Sequence, residues 1–184
     1  MWYVAQTVSG REQAAIEKCR IALDRETAAR VFTPRCQILK KFHGEWQSVE
    51  QIAFQGYIFF DSENPEELEK KLMRIPNVVT PVKIGGGFYP IRTDEEAVLR
   101  QMMDENDCIR SSEGYLVDQK LVVENGPLCG FKGKVKKIDR HKRTALIGVC
   151  LFEEYRDMRV GLSVKGKLTA EEYRETVENT QRAV

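Results

Sequence analysis

Residues 122–139 read V-V-E-N-G-P-L-C-G-F-K-G-K-V-K-K-I-D. Two apolar, strand-like runs flank a turn that holds Gly126, Gly130 and Gly133. In the second run Lys134, Lys136 and Lys137 interleave with Val135 and Ile138, so an extended chain would carry an apolar side and a cationic side. The stretch reads as a hairpin that buries one face and offers the other to a polyanion. The glycines have a sufficient structural role: Gly126 and Gly130 permit positive φ in turns, and Gly133 permits close backbone approach.

What surrounds this stretch divides the chain in four. Residues 109–118, with Arg110-Ser111-Ser112-Glu113-Gly114, are polar and aperiodic and read as a linker. Residues 119–167 carry short strands and turn signals, the pattern of a small β-barrel. Residues 168–184 read as a short helix or tail beginning at Thr169. Residues 1–108 form the first unit. Trp2 to Val8 reads as a strand, and Ser9 with Glu12 as a capping box for a helix over 11–29. A long strand over 31–42 bends at Pro34 and returns through His43-Gly44. Gly56-Tyr57-Ile58-Phe59-Phe60 is a further strand, Asn64-Pro65 opens a second helix, and Val78-Val79 begins another strand. Thr93 with Glu96 caps a third helix over 94–106. The fold class expected is α+β: an N-terminal α/β sandwich of order β-α-β-β-α-β-α, with its helices on one side of the sheet, then a small β-barrel.

Net charge over the 184 residues is +1. That value hides an asymmetry, because residues 1–108 hold 14 Lys/Arg against 17 Asp/Glu and residues 109–184 hold 15 against 11. An acidic front and a basic back suggest different partners for each. Five cysteines (Cys19, Cys36, Cys108, Cys129, Cys150) form no C-x-x-C pair, and His43 and His141 are the only histidines, so no zinc spacing exists. Reduced, mostly buried thiols are expected. Gly85-Gly86-Gly87 lacks the Lys-Ser/Thr of a nucleotide loop. No charged leader or long apolar run opens the chain, so the expected location is the cytoplasm, with no membrane contact, no cofactor and no metal.

Four landmarks in order resemble the NusG family of transcription elongation factors. They are Trp2-Tyr3-Val4 with a helix from about Gly10-Arg11-Glu12, Gly56-Tyr57-Ile58-Phe59 (with Gln55 where the family has proline), Ile75-Pro76-Asn77-Val78-Val79, and the 122–139 stretch, which resembles the KOW motif. The likeness spans about residues 1–166. It implies an NGN domain over 1–108 that binds RNA polymerase at its clamp helices, and a KOW domain over 119–167 that recruits a second partner. The family usually has S-I-F-G-R-x-T late in the KOW domain, serving ribosomal-protein and termination-factor contacts. Here Val149-Cys150-Leu151-Phe152-Glu153-Glu154-Tyr155-Arg156 stands instead. That departure resembles a specialised branch, the LoaP-type antiterminators, for which the implied action is read-through of long operons with the KOW domain on a nascent RNA hairpin.

The resemblance places polymerase binding on Trp2, Tyr3, Phe54, Tyr57 and Phe59. Aromatics on strands are by default core residues, and both roles can hold if Ile58 and Phe60 face inward while Tyr57 and Phe59 face out. It also implies proximity to upstream or non-template DNA, for which Arg11, Lys18, Arg20, Lys70, Lys71 and Arg74 are the candidates; a solvated helix face is the bland alternative. For RNA the candidates are Phe131, Lys132, Lys134, Lys136, Lys137, Arg140, His141, Lys142, Arg143, Tyr155, Arg156 and Arg159. On charge alone that cluster is equally a solvated face, and the resemblance adds the RNA reading. A monomer is expected. No nucleophile–base pairing or metal motif marks an enzyme. Two alternatives stay open: a general NusG-type factor coupling polymerase to ribosome or termination factor, and a ribosome-associated KOW protein.

Overall fold

A computed structural model describes the chain apart from Pro76, Asn77, Ile84, Gly85, Glu153, Ala183 and Val184, and apart from the side chains of 179–182. The stretches 75–79, 85–87, 149–156 and 168–184 named above therefore lie partly outside the described residues. The N-terminal sheet has the order β2-β5-β1-β6. It is formed by β1 (Trp2–Gln6), β2 (Arg30–Phe32), β5 (Tyr57–Asp61) and the short β6 (Thr80–Pro81). β1 pairs antiparallel with β5, setting Val4 opposite Phe59 and Tyr3 opposite Phe60. Strand alternation then sends Tyr3, Ala5, Ile58 and Phe60 to one face. There they pack with Ile16 and Cys19 of α1 (Glu12–Ala22) and Leu68 and Leu72 of α2 (Pro65–Leu72).

The helices start and stop for local reasons that differ in part from expectation. α1 ends at Ala22, not near residue 29, because the chain turns at Asp24, whose carboxylate accepts from the backbone N–H and hydroxyl of Thr27. Ser9 does not cap it. Arg11 holds the cap position without a side-chain bond, and buried Glu12 accepts from the backbone N–H of Gly56 at 2.7 Å. α2 has Pro65 in its first turn and its Asn64 side chain accepts from Glu67 N–H. α3 (Thr93–Met102) begins one residue earlier than expected: Glu95, not Glu96, reaches back to the Arg92 N–H, and Glu96 accepts from Trp2 N–H at 3.1 Å. α3 also departs from the one-sided layer. Leu99 and Met102 pack on the face opposite α1 and α2.

The long strand over 31–42 is two strands, β2 and β3 (Arg35–Phe42), split at Thr33-Pro34 as the proline suggested. β3 pairs antiparallel with β4 (Glu45–Ile52) through His43-Gly44, both at positive φ, and parallel with β7 (Cys108–Ile109). Residues 109–118 are therefore no free linker. Ile109 belongs to β7 and residues from 112 onward to β8 (Ser112–Val117), because Ser112 is buried with its hydroxyl accepting from Leu128 N–H.

The C-terminal sheet has the order β10-β11-β12-β8-β9. Its remaining strands are β9 (Lys120–Asn125), β10 (Lys134–Asp139), β11 (Thr144–Leu151) and β12 (Glu154–Leu168). This corrects the hairpin. The two runs of the 122–139 stretch do not pair with each other: β9 is taken by β8 and β10 by β11, at opposite edges of the sheet. The segment between them is too long for a tight turn, and it bends at Gly126 (φ +96) and Gly130 (φ +74). Leu121 and Val123 of β9 and Val135 and Ile138 of β10 nonetheless pack against one apolar cluster, so the sheet curls like a barrel. α4 (Ala170–Arg182) follows, with a reciprocal cap between Thr169 and Glu172, and Tyr173 meeting Tyr115 at 5.9 Å.

Candidate functional site

The second face of the N-terminal sheet decides how the two units meet. Trp2, Val4, Phe32 and Phe59 line it, joined by Phe54. The rings interlock: Trp2 lies 5.0 Å from Phe32 and 6.3 Å from Phe59, and Phe54 lies 6.2 Å from Phe59. Over them sit Ile147, Val149, Leu151, Met158 and Val160 of β11 and β12, in one continuous core with the N-terminal aromatics. Burying that apolar surface is the main force holding the units together.

Five aromatics were assigned to polymerase. Tyr57 and Phe59 share a face as alternation requires, but the outward pointing expected of Phe59 is not found: it is 0% exposed beneath the C-terminal sheet. Trp2 and Phe54 are buried on that same face. Tyr3 lies on the other one, among the helices, 5.2 Å from Phe88. Tyr57 alone of the five is half-buried, and it is held from above. Its ring lies 5.6 Å from Phe152, and the Arg156 guanidinium sits 5.3 Å from both ring centroids. Phe152 is at positive φ (+61), a backbone state unusual for an aromatic.

Three further contacts fasten the seam. Ser111 N–H donates to the Gln37 side chain at 3.2 Å. The Cys150 thiol donates to Glu95 at 3.3 Å. At Gly161 of β12 the backbone approaches β3 so closely that a Cβ would stand 2.5 Å from the Gln37 carbonyl oxygen. A cavity of about 650 Å³ remains at the seam, bordered by Gln51, Phe54, Tyr57, Arg156 and Arg159. Of the thiols, Cys19, Cys36 and Cys108 are buried, which pushes their pKa values to about 11, 12 and 11, so they stay protonated at neutral pH.

The DNA candidates divide. Arg11, Lys18, Lys70 and Arg74 are exposed. Arg20 is bonded through its guanidinium to the Val31 carbonyl at 2.9 Å. Lys71 is tied to Asp24 at 2.5 Å and Thr27 at 2.8 Å, which raises its pKa and holds Asp24 well below the usual carboxylate range. Arg20 thus ties α1 to β2, and Lys71 ties α2 to the turn that follows α1.

The RNA candidates divide likewise. Lys132, Lys134, Lys137, Arg140, His141, Lys142 and Arg159 are exposed and make no ion pair with a described residue; Tyr155 is 74% exposed. The others are engaged. Lys136 pairs with Asp157, and Arg156 pairs with Glu154 at 3.2 Å while covering Tyr57. Phe131 is half-buried against the core and fills the space beside Gly133, so it is no stacking platform. Arg143 lies over the ring of Trp46 at 4.4 Å. Trp46 was not singled out from the sequence; the signal available was Lys40-Lys41-Phe42 and Trp46 flanking an exposed turn.

The architecture is an α/β unit joined through a buried aromatic face to a curled β unit that carries a group of exposed cations. The chain belongs to the NusG family: the family model described as transcription termination factor nusG matches residues 1–101. It is a NusG-type transcription elongation and termination factor. The transcription termination/antitermination protein NusG of Vibrio vulnificus is 26% identical over 159 residues, covering 82% of this chain and 86% of that protein. Its counterpart in Treponema pallidum is 24% identical over 168 residues, covering 82% and 89%. A solved structure concerned with domain interaction in Thermotoga maritima NusG superposes with a TM-score of 0.54 at 21% identity, covering 89% of this chain and 93% of that one. That last likeness shows the fold.

Proposed function

We propose that this chain is a specialised antiterminator of its family. The N-terminal unit docks on the clamp helices of RNA polymerase through the face that carries Tyr57 and Phe59. The C-terminal unit holds a nascent RNA hairpin, and the complex reads through terminators in long operons. The observation that carries the RNA half is the set of exposed cations on β10 and the turn after it that make no ion pair with a described residue: Lys134, Lys137, Arg140 and Lys142. Exposed cations gathered on one edge of an otherwise near-neutral molecule suit a phosphate backbone. The segment 149–156, where this chain departs from the family's usual sequence, supports the specialised reading, because Phe152 and Arg156 within it are spent on Tyr57. Docking through that face then requires the C-terminal sheet to lift away from it.

A second reading, the general elongation and termination factor, is favoured by the descriptions of the relatives themselves. Binding of the full chain to an RNA hairpin, followed across a series of KCl concentrations, tests the RNA half. A steep salt dependence that weakens in a Lys134→Ala, Lys137→Ala variant is expected. A complex indifferent to salt and to those substitutions contradicts it.

A further inference from the structure

The seam between the two units has a second, polar end. There the β3–β4 hairpin of the N-terminal unit faces the β10–β11 turn and β12 of the C-terminal unit. A groove of about 750 Å³ opens between them, with Lys40, Lys41 and Trp46 on the hairpin side and His141, Lys142 and Arg159 on the other. We propose that this groove takes the unpaired loop nucleotides of the RNA, so that the footprint spans both units; the inference rests on the RNA-binding reading above.

Three observations carry it. The first is charge. Lys40, Lys41, Lys142 and Arg159 are exposed and none has an ion-pair partner among the described residues. Asp139 offsets part of the Lys142 charge; the cations gathered around this one concavity still repel each other, and an entering phosphate backbone lowers that cost. The turn supplying Lys142 is fixed. Asp139 accepts from the Lys142 N–H at 2.9 Å, and that bond, first among its contacts, depresses its pKa.

The second is the aromatic surface. Lys41 stands directly across the strand pair from Trp46, so the two side chains share a face. Arg143 covers the Trp46 ring at 4.4 Å, which orients a planar guanidinium–indole stack at the groove edge, and Phe42 beside it is 42% exposed. Base faces are available for stacking only where nucleotides are unpaired, so cations interleaved with aromatics suit a loop better than a stem.

The third is composition of the site. Neither unit builds the groove alone. The hairpin brings the indole and two lysines, and the C-terminal unit, which carries the chain's positive excess, brings the rest.

The test uses the full chain and three probes: an RNA hairpin with an unpaired loop, a blunt RNA duplex of the same stem, and a DNA oligomer of the hairpin sequence. Trp2 is 1% exposed, so quenching of indole fluorescence on binding reports Trp46. The looped RNA is expected to quench it and the blunt duplex is not. Lys40→Ala with Lys41→Ala is expected to weaken looped-RNA binding about tenfold and to lower the salt slope by about 1.4, two single-strand phosphate contacts. Trp46→Ala is expected to weaken it about tenfold, with partial rescue by Trp46→Phe. All these positions lie on an exposed hairpin, and circular dichroism checks that folding is kept. If the hairpin variants bind like the parent while Lys134→Ala, Lys137→Ala binds weakly, the RNA sits on the C-terminal unit alone: the groove proposal falls and the RNA-binding reading stands. If the parent binds none of the RNA probes, both fall. Equal affinity for the DNA oligomer overturns RNA as the occupant.

Discussion

Arg156 lies over the ring of Tyr57, 5.3 Å from its centroid, and so joins the strand that departs most from the family pattern to the sheet face assigned to polymerase. The same guanidinium is 5.3 Å from Phe152, which packs on Tyr57 from the side. An Arg between two aromatic rings contributes about 0.5–2 kcal/mol, depending on how dry the contact is. It acts on a seam whose larger share comes from apolar burial. Loss of Arg156 therefore loosens the closed arrangement without dissolving it. Arg156→Ala is expected to raise the affinity of the chain for RNA polymerase about three- to thirtyfold, measured by fluorescence titration with core enzyme. An unchanged or lower affinity would show that the contact does not guard the docking face.

Tyr57 and Phe59 are two residues apart on one face, yet they call for opposite outcomes. Phe59 is fully buried between Trp2, Phe32 and Phe54, so Phe59→Ala removes a ring from packed core and costs about 3–5 kcal/mol. Tyr57 is half-buried at the edge and its hydroxyl accepts from Gln6 at 3.3 Å. Tyr57→Ala is expected to keep the free energy of unfolding, from urea titration, within about 1–2 kcal/mol of the parent while abolishing polymerase binding. A Phe59→Ala protein as stable as the parent would contradict the packing described.

At Gly161 the backbone of β12 comes close to that of β3. A Cβ there would meet the Gln37 carbonyl oxygen at 2.5 Å, held in the β3–β4 pair, and the Ser111 hydroxyl at 2.7 Å. Gly161→Ala is expected to force β12 from β3 and lower stability by about 1–3 kcal/mol, with faster amide exchange at residues 111 and 37. Unaltered exchange there would show that the seam yields at no cost.

The Asp24–Lys71 pair sets a pH dependence. Hydrogen bonds from Lys71 and from the Thr27 hydroxyl and N–H hold the Asp24 pKa below its unfolded value. A carboxylate with a depressed folded pKa contributes stability that is present above the unfolded pKa, near 4, and is lost as pH falls toward the folded pKa. Lys71→Met is expected to lower stability at pH 7 and to leave less further loss on acidification below about pH 4, followed by thermal unfolding. Parallel acid limbs in the two proteins would sink the assignment.

Much of this architecture was legible in residue order because local chemistry set it. Pro34 splits the long strand, His43-Gly44 turns the hairpin, and Asn64-Pro65 starts α2. Alternation along 57–60 put Tyr57 with Phe59 and Ile58 with Phe60. What alternation cannot carry is the identity of the second layer. A face of aromatics reads the same whether it meets a partner or another part of its own chain, and here β11 and β12 cover it. The pairing of 122–139 failed for a related reason: adjacent runs pair only if neither finds a better edge, and β8 and β11 were those edges. The engaged cations, Arg20, Lys71, Lys136 and Arg156, were indistinguishable in sequence from the others, because Val31, Asp24, Asp157 and Tyr57, which they meet, lie 11 to 99 positions away. Trp46 escaped notice because the Arg143 that covers it lies 97 positions away, and the local mark was only the cations and aromatics flanking the hairpin turn.

The central claim is that this chain converts an RNA hairpin into polymerase read-through. Single-round transcription across an intrinsic terminator, on templates with and without an upstream segment encoding the hairpin that the chain binds, tests it most directly. Read-through is expected to rise several-fold on the hairpin template, to stay at the basal level without it, and to return to that level with Lys134→Ala, Lys137→Ala or with Tyr57→Ala. Equal read-through on both templates, or more termination when the chain is added, would contradict the account and assign the chain to the general factors of its family.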